Sequence, residues 1–110
     1  MKIRPIPREL LTHTVTLKHR VPGGVWGGIN EVPQVLERVR IEPKQALTYT
    51  KSNQALTLTT VLFIDAVHST PPAGIDLDDT VEFGGDVYTV KSIARQHALD
   101  SFHHYEIGLV

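Results

Sequence analysis

The chain has 110 residues, of which 41% are hydrophobic and 21% charged, with a formal net charge of −1 and no cysteine. That balance fits one globular domain with a modest core and lies far from the profile of a disordered chain. It excludes disulfide scaffolds, thiol nucleophiles and cysteine zinc sites, and the near-neutral charge argues against a dedicated nucleic-acid binder.

The opening Met1-Lys2-Ile3-Arg4-Pro5-Ile6-Pro7 has no apolar stretch of the signal-peptide kind, and no apolar run approaches the ~20 residues of a membrane helix. The expectation is one soluble domain over residues 1–110, with no membrane partner and no visible export signal.

Leu11 to Lys18 alternates as a strand does, with Leu11, His13, Val15 and Leu17 on one face and Thr12, Thr14, Thr16 and Lys18 on the other. Pro22-Gly23-Gly24 and Gly27-Gly28, around Trp26, mark a loop. Val35 to Glu42 reads as a second strand that Pro43 ends. Val35, Val39 and Ile41 would share its inner face, and Arg38, Arg40 and Glu42 its wet one. The polar segment Lys44 to Ala55 is expected to be a long loop, or to hold one helical turn.

Leu56 to Ala66 is rich in β-branched residues, and its run Val61-Leu62-Phe63-Ile64 is apolar on both faces. Ser69-Thr70-Pro71-Pro72-Ala73-Gly74 ends it. Thr80 to Phe83 and Asp86 to Lys91 flank Gly84-Gly85, a hairpin whose turn requires positive φ. His104 to Leu109 is the last strand. About six strands at this spacing predict an all-β fold, a small single-domain barrel or sandwich with at most a short helix.

No chemistry-bearing motif emerges. There is no GxSxG, P-loop, GxGxxG or HExxH pattern. His103 and His104 are adjacent and expected on opposite strand faces, while His104 and Glu106 share one and His97 precedes them. A metal-dependent hydrolase built on His97, His104 and Glu106 would need these groups to converge. Asp76, Asp78 and Asp79 lack the glycine and final glutamate of a calcium loop, and turn hydrogen bonds are their simpler role. The reading assigns no catalytic residue, no metal and no cofactor. Asp65 interrupts an apolar run and, if buried, needs hydrogen-bond donors; with Gly84 and Gly85 it is a structural candidate.

Charge is uneven along the chain. Residues 1–55 hold nine of the eleven Lys and Arg but four acids, and residues 56–110 hold two against eight. The simpler expectation is that the halves interleave in one barrel and cancel. The alternative is a positive face that meets a neighbour's negative face in a head-to-tail ring.

The segments Pro5-Ile6-Pro7, Val39-Arg40-Ile41-Glu42-Pro43, Leu62-Phe63-Ile64-Asp65, Ser69-Thr70-Pro71, Val81-Glu82-Phe83-Gly84 and His103-His104-Tyr105-Glu106-Ile107-Gly108-Leu109 resemble the minor capsid protein family of tailed phages and prophages of Gram-positive bacteria. The resemblance implies a structural virion protein of the head–tail connector, made in the host bacterial cytoplasm. It implies a small β-barrel of the head-completion or stopper kind, forming a homo-oligomeric ring below the portal. Partners would be connector subunits on the portal or adaptor side and on the tail side, with DNA only passing through the channel. The matching candidate for a channel or interface loop is the segment with Lys44, Gln45, Thr48, Tyr49, Thr50, Lys51, Ser52, Asn53 and Gln54. A β-barrel module binding oligosaccharide or peptide is the other reading. It asks for exposed aromatics on one face, where only the scattered Trp26, Tyr49, Tyr88 and Tyr105 are on offer.

Overall fold

A computed structural model describes residues 4–23, 27–49 and 54–110. A 3₁₀ turn, η1 (Arg8–Leu10), precedes six strands: β1 (His13–Pro22), β2 (Ile29–Tyr49), β3 (Gln54–Asp65), β4 (Thr80–Phe83), β5 (Asp86–Ala98) and β6 (Ser101–Leu109). They close into a barrel in the order β1-β2-β3-β6-β5-β4, every neighbouring pair antiparallel. The all-β class and the strand number agree with the sequence pattern.

The barrel closes through β2. A straight strand of its 21 residues would run about 70 Å, more than the molecule's longest dimension of 51 Å. The strand bends instead. Residues up to Val39 pair with β1, and residues from Arg40 onward pair with β3. Between the two ladders β1 advances from His13 to Val15 while its partner residue moves from Val39 to Leu36, so β2 holds one extra residue. Arg38 lies in that bulge with φ 56°, and the local twist turns the strand from one side of the barrel to the other.

The bulge corrects two expectations. It shifts the inward parity, so Leu36, Val39 and Ile41 are buried while Val35 is 54% exposed. Carrying the alternation back across Arg38 puts Val35 inside, which is wrong. Pro43 does not end the strand either. His13 Nδ1 accepts the Ile41 N–H at 3.0 Å on the side that β1 has left. Two residues on, the Pro43 nitrogen faces that same partnerless side, where a missing N–H costs no ladder bond. The segment expected as a loop is therefore largely strand: Lys44 to Tyr49 pairs with Gln54 to Thr59.

The core is a single cluster. Val15 and Leu17 of β1, Leu36, Val39 and Ile41 of β2, Leu62 and Ile64 of β3, Val81 of β4, Val90 of β5, and Ile107 and Leu109 of β6 are all buried. Leu11, Val15 and Leu17 take the inward positions that the alternation assigns them. Val61 is also buried and Phe63 partly so, which agrees with a β3 covered on both faces. Gly84 and Gly85 form the β4–β5 turn with φ of 59° and 86°, the mirror-image conformation that suits a two-residue hairpin. The β5–β6 hairpin is longer than expected, with Ala98 opposite Ser101.

Two-stranded arms leave the barrel. β6 reaches only Thr60 of β3, through Leu109, so among the described residues no third strand joins the β2–β3 ladder beyond that point. The β1–β2 ladder likewise continues to Pro22 and Ile29, past the last β1–β4 pair at Lys18 and Thr80. The radius of gyration is 15.6 Å, against about 13 Å for a compact chain of this length.

Arg38 offers a direct check on the bend. Its exposed side chain leaves the backbone as the constraint, so Arg38→Val should lower unfolding stability in urea by about 1–2 kcal/mol. Arg38→Gly should keep or raise it; equal loss in both variants would show that the positive φ is not what the site requires.

Candidate functional site

Two buried carboxylates fasten irregular chain to the barrel. Asp65, at the end of β3, is 2% exposed. Its Oδ1 accepts the Ile6 N–H at 3.0 Å, and its Oδ2 accepts the N–H groups of Val67 at 3.0 Å and His68 at 2.9 Å. The Asp65 N–H donates to Ser69 Oγ at 2.8 Å, and the Ser69 hydroxyl donates in turn to the Arg38 carbonyl. One residue thus joins the N-terminal segment, the loop after β3 and the bulge of β2. His68 Nδ1 donates to the Ile6 carbonyl at 3.1 Å, and His103 Nε2 to the Arg4 carbonyl at 2.7 Å. Both nitrogens must carry the proton, because a carbonyl can only accept.

Asp79 is the second peg, with no exposed surface. Its Oδ1 accepts the Arg20 N–H at 2.9 Å, and its Oδ2 accepts the Asp76 N–H and His19 Nδ1–H, each at 2.7 Å. Burial on its own would raise the carboxyl's pKa. The bonds from Arg20, His19 and Asp76 outweigh it and hold the carboxyl below its ordinary 3.8. Asp79 stands where β1 has passed the end of β4, so its side chain satisfies the β1 edge that the short strand leaves open. Gly74 passes so close to His19 that a Cβ there would sit 2.7 Å from Nε2. Sequence reading grouped Asp79 with Asp76 and Asp78 as turn formers; nothing in three neighbouring acids tells which one the fold buries.

The loop between β3 and β4 also covers the free edge of β2. Glu37 and Thr70 exchange bonds, Thr70 N–H to the Glu37 carbonyl and Glu37 N–H to Thr70 Oγ1, both at 3.1 Å. The Gln34 amide donates to the Pro71 carbonyl at 3.0 Å and accepts the Ala73 N–H at 2.8 Å.

The histidines do not assemble into a centre. His104 Nε2 lies 3.4 Å from Glu106 Oε1, whereas His97 packs edge-on against Phe102 at 6.0 Å between ring centroids. Among the described residues, no three His, Asp or Glu side chains are placed to hold a metal ion. His103 and His104, expected apart on opposite faces, meet at 2.8 Å between their Nδ1 atoms, with their rings nearly perpendicular. Arg95 lies over Phe102 and Tyr105 at 5.1 and 5.6 Å from the centroids, and this stack stiffens the β5–β6 hairpin.

Of the candidate loop residues, Lys44, Gln45, Thr48 and Tyr49 belong to β2 and Gln54 to β3. Thr50, Lys51, Ser52 and Asn53 lie outside the described residues, as does Trp26. The strands of the two charge halves are segregated in the barrel, while the loop between β3 and β4 carries acids of the second half onto the first. β1 and β2 are adjacent in the barrel, and β3, β6, β5 and β4 make up the rest of it. Acids of the second half meet the first at several points among the described residues: half-buried Glu82 pairs with Lys18 Nζ at 2.7 Å, and Asp76 and Asp79 lie beside His19.

A barrel with pegged loops and projecting arms does not name a role by itself, and the comparison with known families does. A family model described as minor capsid protein matches residues 7–109. The chain belongs to that family. No curated protein matches it. A minor capsid protein has a structural role in the bacteriophage capsid, which accords with a surface of arms and pegs. The match begins at Pro7 and ends at Leu109, so it spans both pegs and every strand.

Removing either peg should be costly. Asp65→Ala strands three backbone N–H groups, and a loss of about 2–3 kcal/mol in urea unfolding is expected; an unchanged midpoint would show that the bonds carry no net stability. Asp79 adds a pH signature. Its folded pKa is depressed, so its contribution is complete above the unfolded value near 4 and disappears as pH falls through the folded one. Stability should therefore drop below about pH 4. Asp79→Asn should be less stable than the wild-type chain at pH 7 and should narrow that gap at pH 2–3. A gap that stays constant from pH 7 to pH 2 would contradict the assignment.

Proposed function

We propose that this minor capsid protein is a subunit of the head–tail connector, forming a ring below the portal that joins the packaged head to the tail. The observation that carries the reading is the β2–β3 arm: a ribbon from Lys44 to Tyr49 and Gln54 to Thr59 that no third strand joins among the described residues. Two-stranded ribbons are marginal alone in water, and a ring gives both edges a place against neighbours or across a channel. The uneven charge supports the same reading. A chain whose first half is basic and second half acidic suits copies that follow one another head to tail. In this ring the arm containing Lys44, Gln45, Thr48, Tyr49 and Gln54, together with residues 50–53, lines or closes the channel through which DNA passes. The protein is made in the host cytoplasm and ends in the virion.

The test shortens the arm while keeping its register. Ala46 pairs with Thr57 and Gln45 with Leu58, so replacing residues 46–57 by Asn-Gly leaves a paired hairpin and the buried cluster of described residues in place. The purified variant should still unfold cooperatively. Phage carrying it should fill heads but release DNA or fail to attach tails. Full infectivity would remove the arm from the mechanism, and arrest before DNA packaging would move the protein away from the connector.

A further inference from the structure

Residues 4–6 are tied to the barrel by side chains. The Ile6 N–H donates to Asp65 Oδ1, His68 Nδ1–H to the Ile6 carbonyl, and His103 Nε2–H to the Arg4 carbonyl. The last bond spans 99 positions of the sequence and joins the segment to β6.

The protons on the His103–His104 pair can be counted. His103 carries one on Nε2, since Arg4 offers only a carbonyl. Its Nδ1 then presents a lone pair to His104 Nδ1 at 2.8 Å, so His104 donates from there. The remaining nitrogen, His104 Nε2, lies 3.4 Å from Glu106 Oε1. One added proton settles on that nitrogen, where the contact becomes an ion pair. A second has a single vacancy, His103 Nδ1, and filling it sets two N–H groups and two like charges against each other at 2.8 Å. The pair stays closed with no added proton or with one, and two force it apart.

The surroundings decide which ring yields. His104 is flanked by Glu106 of β6, whose other oxygen accepts Gln96 Nε2–H of β5 at 3.1 Å, and by the Phe63 ring of β3 at 6.1 Å between centroids. Asp65, its ladder partner on β3, has both oxygens taken by Ile6, Val67 and His68. The other groups around the pair that carry or can take positive charge are three. His68 Nδ1 is 3.7 Å from Asp65 Oδ2, Arg95 lies over the Phe102 and Tyr105 rings, and Arg4 is exposed. Beyond His104, His103 is bonded only to the Arg4 carbonyl, so it is the ring that swings out, and Arg4 loses its anchor.

We infer that the His103–His104 pair is an acid-opened latch on the N-terminal segment. The open state takes up a proton that the closed state excludes, so opening gains as pH falls, across the range where imidazole side chains change charge. The neighbouring Ile6 bond reaches Asp65, and Asp65 is tied through Ser69 to the bend at Arg38. The latch therefore bears on the base from which the arms project.

Amide hydrogen exchange of the purified chain tests it, read as protection factors so that the intrinsic pH dependence of exchange drops out. Protection of the Ile6 N–H should fall at least tenfold between about pH 7 and about pH 5, while the Val90 N–H, bonded to the Asp79 carbonyl, keeps its own. His103→Gln retains a donor where Nε2 stands and cannot take a proton, so its Ile6 protection should be the same at both pH values. No Ile6 protection at neutral pH, constant protection in the wild-type chain, or an equal fall in His103→Gln would overturn the latch. If the variant fails to fold, nitrogen NMR spectra of the wild-type histidines decide. His103 Nδ1 should gain its proton as Ile6 protection falls, and a fall with His103 still carrying its proton on Nε2 alone would overturn the latch.

Discussion

A 21-residue strand that serves both sides of a small barrel has to turn, and the turn at Arg38 is the constraint on which the rest of the structure depends. It lets β2 leave β1 after Val39 and join β3 at Arg40, and without that transfer the ladder has two open edges instead of closing. The bend is held from outside by Ser69, which donates to the Arg38 carbonyl, and Ser69 is held by the Asp65 N–H. The two ends of this chain of bonds lie far apart in sequence. The cost of an L residue at positive φ is offset by a pegged hydrogen-bond network, not by the local sequence.

The two buried acids share a logic. A short barrel with strands as unequal as β4 and β2 leaves N–H groups where a neighbour runs out, and an unsatisfied buried N–H is expensive. Asp65 accepts three backbone N–H groups, and Asp79 accepts two with the His19 ring N–H as a third; the Arg20 bond takes the place of a missing strand partner and the others hold loop and N-terminal chain. This fastens the N-terminal segment and the β3–β4 loop to the barrel, so the projecting arms spring from a fixed base. For the proposed connector subunit, that division between pegged base and free arm is the functional architecture.

The residues disclosed much of this fold and little of its joinery. Alternation placed Leu11, Val15 and Leu17, and Gly84-Gly85 marked a turn with two positive φ values, because these signals are local. The bulge at Arg38 leaves no local trace: an arginine is a poor predictor of positive φ, and only pairing with two different strands demands it. Pro43 was read as a terminator because a proline's effect depends on whether its edge has a partner, which sequence does not state. The same limit hid the β2–β3 ribbon behind a polar composition. Asp65 stands out as an acid within an apolar run. Asp79 does not, lying among acids in a turn.

Family membership makes the protein a structural component of a phage capsid, and the two-stranded arms are what the proposed connector ring can use. The most direct test is cryo-electron microscopy of the intact virion, with the neck reconstructed without imposed symmetry. The account predicts a ring of copies of this barrel between portal and tail, with the β2–β3 ribbons directed at the channel axis. Copies spread over the capsid shell, or a neck that contains none, would contradict it.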